Sequence, residues 1–572
     1  MLLHQRLGSR ICVITALATL LVACGPSTGT PRTGDTGTAP DTKPAATKRV
    51  TAVIMGNPAS VIGRLSGFGQ RGVDAVEELV HVGLTNMDRQ SVRHPVLAES
   101  VPTVENGQWQ LFPDGKMETT WKIRENARWH DGTAVTAADF LFAARVGQEG
   151  DAPEFGDVGY GFIESVSAPD SRTVLVRWKQ PYIDADTMFA TRAFAAPMPA
   201  HLLESVYSQN KGAFTQQAYF GEEFVGTGPY KMRDFSRGIS LVVEAFDGYT
   251  HGRPKIDVVD IRFVSDPTTI IAKLLAGEAE LTLGKTLSVE EALEVRAQWR
   301  DGKVDVASAN AVSIYPQFQN TNPIVIQDVR FRRAMLHAID RQHLMETLLG
   351  GLSAVADSFM FPNQPQYADI EARLPRYAYD PRIAGQIVEQ IGYTKGSDGF
   401  YVDSAGQPLT VEIRATTTDI NQKSMYTVAD AWQRVGVRVD PVTMPRQRAE
   451  DNSYLFTFPA FYLQRYTSDL PGLKNLHSSR SPLPENNFRS GNTSRYKNPE
   501  FDALLDRYFA TVPQSERHEL LSQIVYHVAD QVTQLGLFFD AEPTMIHNRL
   551  VNIAARPPEV TQAWNAQLWD IK

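Results

Sequence analysis

The sequence has little cysteine: its 572 residues include 2 cysteines, Cys12 and Cys24, and both lie near the start of the chain. The body of the chain therefore has no thiol for a disulfide framework, a thiolate metal cluster or a cysteine nucleophile. Positive charge is also in the minority, because 56 Lys and Arg face 65 Asp and Glu, which gives a formal net charge of −9. Since a nucleic-acid partner usually requires a concentrated basic face, we expect none.

Several catalytic and metal-binding motifs are missing as well. None of the 12 His belongs to an HExxH motif, and no GxSxG nucleophile elbow lies in the folded body. His130-Asp131-Gly132 resembles half of a catalytic triad, but the Asp-Gly dipeptide favours a turn. We therefore expect a protein that is not an enzyme and holds no metal or other cofactor. A secreted hydrolase is the alternative, and it would need a nucleophile or carboxylate pair that the sequence does not reveal.

Long hydrophobic runs are scarce, and the one near the start spans Ile11 to Ala23. A transmembrane helix needs about 20 apolar residues, so this run is too short to be one. Arg6 and Arg10 precede it, which is the arrangement of a secretory signal peptide. Its end, Leu21-Val22-Ala23-Cys24, resembles the bacterial lipobox. We predict a lipoprotein signal peptide at 1–23 and acylation of Cys24, for example by palmitate, which would anchor the exported protein to the membrane.

Residues 24–48 are rich in Thr, Pro and Gly and have almost no large apolar side chain. Such a segment cannot offset its ordering entropy by burial, so we predict a flexible tether. The folded body is expected to begin at Arg49-Val50 with a buried strand.

Helix and strand patterns alternate through the body, which predicts an α/β fold. Three helices are predicted from a polar cap followed by proline, and a helix pair is predicted between Asp328 and Gly350, with Asp340 capping its second member. Strands are predicted where apolar and polar residues alternate. The three proline-led starts are Asp266-Pro267, Asp380-Pro381 and Asn498-Pro499, and the alternating segments are Thr119–Ile123 and Val174–Trp178.

Two glycine motifs resemble phosphate-binding loops but lack the required context. Gly67–Gly72 matches GxGxxG, yet the strand near Val50 ends too far upstream for a tight strand-turn-helix unit. We predict instead a loop before a helix from Val73 to Leu84. Gly284-Lys285-Thr286 resembles the end of a P-loop, but Ala279 stands where that motif requires glycine.

A family resemblance runs along most of the chain. Trp121 to Arg145 reads WKIRENARWHDGTAVTAADFLFAAR and resembles a segment of the family 5 bacterial extracellular solute-binding proteins, which are the peptide- and nickel-binding components of ABC importers. Five further stretches resemble elements of this family in the same order. They are His94–Ser100, Gly226–Lys231, Asp328–Gly351, Tyr379–Tyr393 and Tyr496–Asp502.

The resemblance implies an α/β, two-lobed periplasmic-binding-protein fold of the class with an extra domain, with mixed sheets in each lobe joined by a hinge. The protein would capture a peptide or oligopeptide by closing its lobes and deliver it to a membrane permease with cytosolic ATPases. We expect a monomer that faces the periplasm or the cell exterior. By this template lobe I comprises 49–88, 225–310 and 535–572, the extra domain 89–224, and lobe II 311–534.

The resemblance also implies ligand-binding residues. Peptide-binding relatives grip the ligand amino group with an acid in an aromatic-rich segment, which corresponds here to 461–471. Asp469 would be that acid, Arg465 could bind a carboxylate, and Tyr462 and Tyr466 could line the pocket. Phe68 is a candidate from the opposite lobe.

Alternatives to these roles remain open. Arg465 and Asp469 could instead form a solvated surface pair, and Phe68 could be an ordinary loop anchor. The 461–471 segment lacks Trp and has a single D-x-P step. An oligosaccharide, an opine-like conjugate or a chelated metal is therefore the alternative cargo.

Overall fold

Helices and strands alternate along the chain, as the interspersed apolar patterns predict. The computed structural model describes residues 46–66, 70–448, 451–466, 470–488, 491–557 and 560–572. Thr47–Lys572 form one compact unit.

The α-helices within these residues are α1 Val73–Val80, α2 Ala137–Glu149, α3 Ala200–Gln209, α4 Pro267–Leu275, α5 Val289–Gln298, α6 Val329–His337, α7 Arg341–Leu349, α8 Tyr367–Glu371, α9 Pro381–Ile391, α10 Asp419–Val435, α11 Asn452–Phe456, α12 Pro499–Ala510 and α13 Gln514–Asp530. The strands are β1 Arg49–Ile54, β2 Thr85–Met87, β3 Arg93–Pro95, β4 Trp109–Leu111, β5 Met117–Lys122, β6 Ile163–Asp170, β7 Thr173–Trp178, β8 Tyr230–Ser236, β9 Ser240–Ala245, β10 Val258–Phe263, β11 Leu281–Leu283, β12 Gly302–Pro316, β13 Thr394–Lys395, β14 Tyr401–Val402, β15 Thr410–Ala415, β16 Arg438–Thr443, β17 Phe461–Tyr466, β18 Leu535–His547, β19 Leu550–Val551 and β20 Asp570–Ile571.

A mixed sheet is the largest element of the described residues, with ten strands in the order β16-β15-β17-β12-β18-β11-β1-β10-β9-β8. The long strands β12 and β18 pair antiparallel at its centre. β12 also pairs with β17, and β18 also pairs with β11. The β12/β18 ribbon therefore connects two groups of strands, β15–β17 on one side and β1 with β8–β11 on the other.

The β12/β18 ladder is interrupted near its middle. Ser308 pairs with Ala541 and Ala311 pairs with Phe539, so two residues of β12 lie opposite Asp540 alone. Such a bulge bends the strand locally and redirects a side chain. Asp540 thus lies at the point where the two strand groups are joined.

A separate sheet in the described residues has four strands in the order β4-β5-β7-β6 and packs against α2. The predicted strands at Thr119–Ile123 and Val174–Trp178 are confirmed as β5 and β7, with small differences at their ends. Trp121 and Trp178 are fully buried, and they belong to a hydrophobic core that continues to β1 and β9–β11 of the large sheet. The limits of the two lobes and of the extra domain stay a prediction.

The proline-led helix starts are confirmed. The Asp266 carboxylate accepts the Thr269 N–H at the start of α4, and the Asp380 carboxylate accepts two N–H groups at the start of α9. Asn498 caps α12 in the same way, and Asp340 caps α7. These caps satisfy backbone donors that a helix start leaves without partners, which is why local sequence predicts them well.

The predicted end of the first helix is wrong. α1 ends at Val80; His81 is extended, and the residues from Val82 to Leu84 are not helical. These residues make nonlocal contacts: the Thr227 hydroxyl accepts the Val82 N–H, and Leu84 N–H donates to the Phe189 carbonyl. A side chain at Gly83 would overlap the Phe189 carbonyl oxygen, which a Cβ would approach to 2.1 Å. These tertiary contacts override the helical pattern of the segment.

No helix among the described residues combines the length and the apolar character needed to cross a membrane.

His130-Asp131-Gly132 forms a turn, as predicted, and its histidine joins two segments of the chain. His130 Nδ1 accepts the Gly226 N–H at 3.1 Å, and Nε2 lies 3.1 Å from the Gly228 carbonyl oxygen, to which it donates. Because Nδ1 can accept a hydrogen bond only when it carries no proton, the bond from Gly226 requires the neutral ring with its proton on Nε2. Burial lowers the pKa of His130 to about 3, so the ring stays neutral in the folded protein.

We expect His130 to make stability depend on pH. Because its folded pKa lies below the unfolded value of about 6.5, its contribution is complete above pH 6.5 and is lost as the pH falls toward 3. The free energy of unfolding of the wild type minus that of His130→Gln should therefore decrease on acidification, by at most about 1.4 kcal/mol per pH unit. Urea unfolding at pH 7.5, 6 and 5 measures this difference.

The free energies of the wild type and the variant have to be compared because buried Glu77 makes stability depend on pH in the opposite direction. Burial raises the pKa of Glu77 to about 7, so its contribution is lost as the pH rises through that value. His343→Gln, on the exposed surface of α7, is the matched control. An equal slope for both variants would contradict the prediction for His130.

Candidate functional site

A cleft of about 660 Å³ lies between the two strand groups. One wall comes from the ends of β1 and β11 and from α5, and the other from α7, the start of α10 and β17. Its volume lies in the range of ligand-binding pockets. The lining combines charged groups with an apolar surface formed by Met55, Val289, Leu293, Leu348, Leu349 and Ile420.

An ion cluster closes the inner end of this cleft. Asp540 Oδ2 accepts hydrogen bonds from Lys285 Nζ at 3.0 Å and from Arg465 Nη1 at 2.6 Å. The Asp540 side chain is 4% exposed, and those of Lys285 and Arg465 are 18% and 27% exposed. Lys285 follows β11 and Arg465 belongs to β17. The carboxylate on the central strand β18 therefore binds a cation from each wall.

The position of Lys285 depends on two glycines in close contact. Gly284 has φ +69° and Gly72 has φ +91°, which are left-handed values that favour glycine. A Cβ on Gly284 would lie 2.4 Å from Gly72 Cα and 2.5 Å from its nitrogen. This approach brings the loop before α1 against the end of β11. Arg71 and Lys285, the residues next to the two glycines, consequently line the same end of the cleft.

A smaller cavity of about 300 Å³ adjoins this end and shares Arg71, Lys285 and Arg465 with the cleft. Its far wall contains Arg556, whose Nη1 lies 3.2 Å from Asp74 and whose Nη2 lies 3.5 Å from Glu542. Arg556 therefore forms ion pairs with two carboxylates.

The opposite end of the cleft is acidic. Glu290 and Asp419 are exposed there, and Lys423 forms ion pairs with both, at 3.7 Å and 2.9 Å. Glu291 is partly engaged, because its carboxylate accepts the Ser288 N–H at the start of α5. Three acids thus lie near one lysine. The net charge of the lining is therefore positive at the inner end of the cleft and negative at the opposite end.

The predicted ligand residues differ in where the structure places them. Arg465 lies in the cleft, but its guanidinium is bound to Asp540. Tyr462 points to the other face of β17, is 3% exposed and packs against Tyr315, Met444 and Phe458. It is not among the described residues that line the cleft, and the burial raises its pKa to about 12. A role for Tyr462 in lining the ligand pocket stays a prediction.

The remaining predicted residues are Tyr466, Phe68, Asp469 and Cys24. Tyr466 is the last residue of β17 and pairs with Ala311 through the backbone. Phe68, Asp469 and Cys24 lie outside the described residues. Their roles stay predictions.

Sequence reasoning missed Asp540 and misjudged Lys285. The sequence pattern around Lys285 indicates only an incomplete phosphate loop. Asp540 follows the apolar run Leu535–Phe539, and a carboxylate inside such a buried strand requires a cationic partner. That signal indicates an ion pair but does not identify the partner, since Lys285 is 255 residues away.

No group of three or more His, Cys, Asp or Glu in the described ranges is arranged to hold a metal ion. The charged groups of the cleft are suited to binding a ligand that itself has charges.

Comparison with known proteins identifies the family. The model of "Bacterial extracellular solute-binding proteins, family 5 Middle" matches residues 94–511. The chain belongs to the bacterial extracellular solute-binding proteins of family 5. It is accordingly a solute-binding component of an ABC importer, and it belongs to a family that works outside the cytoplasm.

Individual relatives of this family 5 protein are distant. It is 22% identical over 473 residues to the oligopeptide-binding protein AppA of Bacillus subtilis, covering 81% of both chains. It is 25% identical over 452 residues to heme-binding protein A of Haemophilus influenzae, covering 76% of this chain and 77% of that protein. The structure of Bacillus subtilis AppA in complex with a nonapeptide matches with a TM-score of 0.63 and 19% identity, covering 92% of this chain and 99% of that chain. The predicted two-lobed α/β fold is thereby confirmed.

Proposed function

We propose that this protein captures a peptide or oligopeptide in the cleft between its lobes and delivers it to a membrane permease driven by cytosolic ATPases. The main support for this proposal is a cleft of about 660 Å³ whose two walls come from different strand groups and whose lining has charges of both signs. A ligand that touches both walls stabilises the closed form by its contacts with both. The protein would perform no bond chemistry.

The backbone of β17 supports a peptide as cargo. β12 pairs with β17 along residues 461–466, whereas β15 pairs with it at 461–463. Within the described residues, 464–466 therefore have a strand neighbour on one side and an open edge on the other. An extended peptide can add to such an edge through main-chain hydrogen bonds, while its side chains enter the surrounding cleft.

The wider organisation of the protein is part of the proposal. We place lobe I at 49–88, 225–310 and 535–572, the extra domain at 89–224 and lobe II at 311–534. A signal peptide at 1–23, a lipid on Cys24 and a tether at 24–48 would hold a monomeric body near its permease. Asp469 and Phe68 are proposed as further ligand contacts from the two sides of the cleft.

Thermal unfolding in the presence of peptide pools tests the cargo. Pools of random tripeptides to nonapeptides should stabilise the full chain, by about 2.7 kcal/mol when the free concentration of the binding peptide reaches 100 times its Kd. Hemin and mixed free amino acids are the comparison ligands, the former because one relative is a heme-binding protein. Stabilisation by hemin or amino acids with no response to any peptide pool would contradict peptide capture.

A pair of variants locates the binding. Ile420→Trp places a larger side chain in the apolar lining of the cleft and should reduce the peptide-induced stabilisation. Tyr426→Trp, on the exposed face of the same helix, is the matched control and should leave it unchanged. An equal response of both variants would place the peptide outside this cleft.

A further inference from the structure

One apolar core joins lobe I to the extra domain. It contains side chains of β1 and β9–β11 in the large sheet, together with side chains of β5, β7 and α2 in the extra domain. A different apolar core lies among α8, α12 and α13 of lobe II. Because close-packed cores are hardly compressible, lobe I and the extra domain move as one body and lobe II as another.

Two side chains cross between these bodies in opposite directions. Ile183 of the extra domain is 8% exposed and belongs to the core of α8, α12 and α13, whose other members all lie between residues 359 and 529. Val512, which connects α12 to α13, is 5% exposed and belongs to the core of lobe I and the extra domain. Within the described residues, it is the only member of that core from lobe II. Ile183 and Val512 thus define an interdomain contact at which the two bodies interlock.

Ile183 is held in position by the aromatic side chains of its own domain. The ring of the preceding Tyr182 stacks on Phe162, with the two centroids 4.7 Å apart. The same ring packs against buried Trp178, at the end of β7, with the centroids 5.2 Å apart. The Ile183 side chain therefore projects from a rigid base into lobe II.

Polar groups of both bodies accompany the interdomain contact. Burial raises the pKa of the Asp184 carboxyl to about 6, and the positive charges of Lys474 and Arg517 in lobe II act against this rise. Asn363 Nδ2 of lobe II donates to the Arg89 carbonyl oxygen at 3.0 Å. The contact therefore combines an apolar centre with polar groups around it, as interfaces between folded proteins do.

The interdomain contact belongs to a closed arrangement of the lobes but lies outside the ligand site. Val289 of α5 is part of an apolar core with α7 and α10 of lobe II, and Glu290 pairs with Lys423 at 3.7 Å, so the lobes touch across the cleft. The described residues that line the cleft include neither Ile183 nor Val512. A change at these two positions can therefore alter lobe closure without altering the contacts of the ligand.

We propose that the interdomain contact is a clamp by which the extra domain holds lobe II in the closed arrangement, and that opening of the lobes about the β12/β18 ribbon separates Ile183 from its core. This proposal rests on the proposed function, because ligand capture requires the lobes to open and close. A contact made only in the closed form raises the population of that form and with it the affinity for the ligand. The extra domain thereby contributes to ligand binding from a distance.

Ile183→Ala tests the clamp, and Ile370→Ala is its matched control. Both variants remove the same atoms from the same apolar core, but Ile370 lies on α8 within lobe II and is 2% exposed. Titration calorimetry with the peptide pool that stabilises the wild type most should show an affinity about tenfold weaker for Ile183→Ala. A factor of this order corresponds to the burial of the removed apolar atoms. Ile370→Ala should lower stability and leave the affinity unchanged.

Small-angle X-ray scattering of the unliganded full chain is the second measurement. Ile183→Ala should increase the radius of gyration, because the closed population falls, and Ile370→Ala should not. Val512→Ala removes the side chain that crosses in the other direction and should act as Ile183→Ala does, so the test remains available if one variant fails to fold. Ile183→Val keeps most of the side chain and should retain most of the wild-type affinity.

The outcomes separate the clamp from the proposed function. A weaker affinity or a larger radius of gyration in Ile183→Ala and Val512→Ala, with neither in Ile370→Ala, supports the clamp. Wild-type values in both crossing variants, or equal changes in Ile370→Ala, would overturn the clamp while peptide capture stands. If no peptide pool binds the wild type, peptide capture fails, and the scattering of the unliganded variants alone decides whether the clamp exists.

Discussion

Replacing Asp540 with alanine is expected to lower the free energy of unfolding by about 3 to 5 kcal/mol. The Asp540 side chain is 4% exposed, so its removal leaves Lys285 and Arg465 without their carboxylate in a position where water replaces it poorly. Breaking a buried ion pair from one side costs more than the pair contributes, because the remaining charges stay desolvated. Urea unfolding at neutral pH gives the free energy of each variant.

Two controls define this result. Asp540→Asn keeps a polar acceptor for both cations but loses the charge, so its loss should be smaller than that of the alanine variant. Asp430→Ala breaks an exposed pair with Arg434 on α10 and should cost no more than about 1 kcal/mol. A loss for Asp540→Ala as small as that for Asp430→Ala would show that water readily reaches Lys285 and Arg465.

Gly284→Ala is expected to cost about 3 kcal/mol or more. A left-handed conformation at φ +69° alone costs a residue with a Cβ about 1 to 2 kcal/mol. The new methyl group would also lie 2.4 Å from Gly72 Cα, and that backbone can move only by separating α1 from β11. The same urea measurement applies, and peptide affinity should fall together with stability because Arg71 and Lys285 would be displaced.

Gly277→Ala separates the cost of the left-handed conformation from the cost of the steric contact. Gly277 has φ +72°, nearly the value of Gly284, but no atom lies within 4 Å of the position its Cβ would take. Its substitution should therefore cost the conformational term alone, about 1 to 2 kcal/mol. If both alanine variants lose the same free energy, the close approach of Gly284 to Gly72 contributes nothing.

Local features of the fold were predictable from the sequence for a clear reason. Asp266, Asp380 and Asn498 each precede a proline and satisfy the first N–H groups of their own helix. Each capping side chain and the N–H groups that bind it lie within four residues of each other, so a local sequence pattern predicts the helix start. α1 shows the limit of this approach, since Gly83 and its neighbours leave the helix for partners more than a hundred residues away.

The candidate site was less predictable because its contacts join distant parts of the chain. Arg465 was predicted as a ligand residue, and the structure places it in the cleft, but its partner Asp540 lies 75 residues further on. Lys285 meets the same carboxylate only because β11 and β12 flank β18 in the sheet. The strand order brings these residues together, and no spacing in the sequence encodes that order.

The central position of β18 has a consequence for the assembly of the protein during synthesis. β18 spans Leu535–His547 of a 572-residue chain, yet it lies between β12 and β11 in the middle of the sheet. A nascent chain that lacks this strand leaves one edge of β12 and one edge of β11 without a partner, and open edges favour aggregation. The ten-stranded sheet therefore cannot form until the chain has been synthesised as far as His547. Pairing over such long sequence separations also makes folding slow.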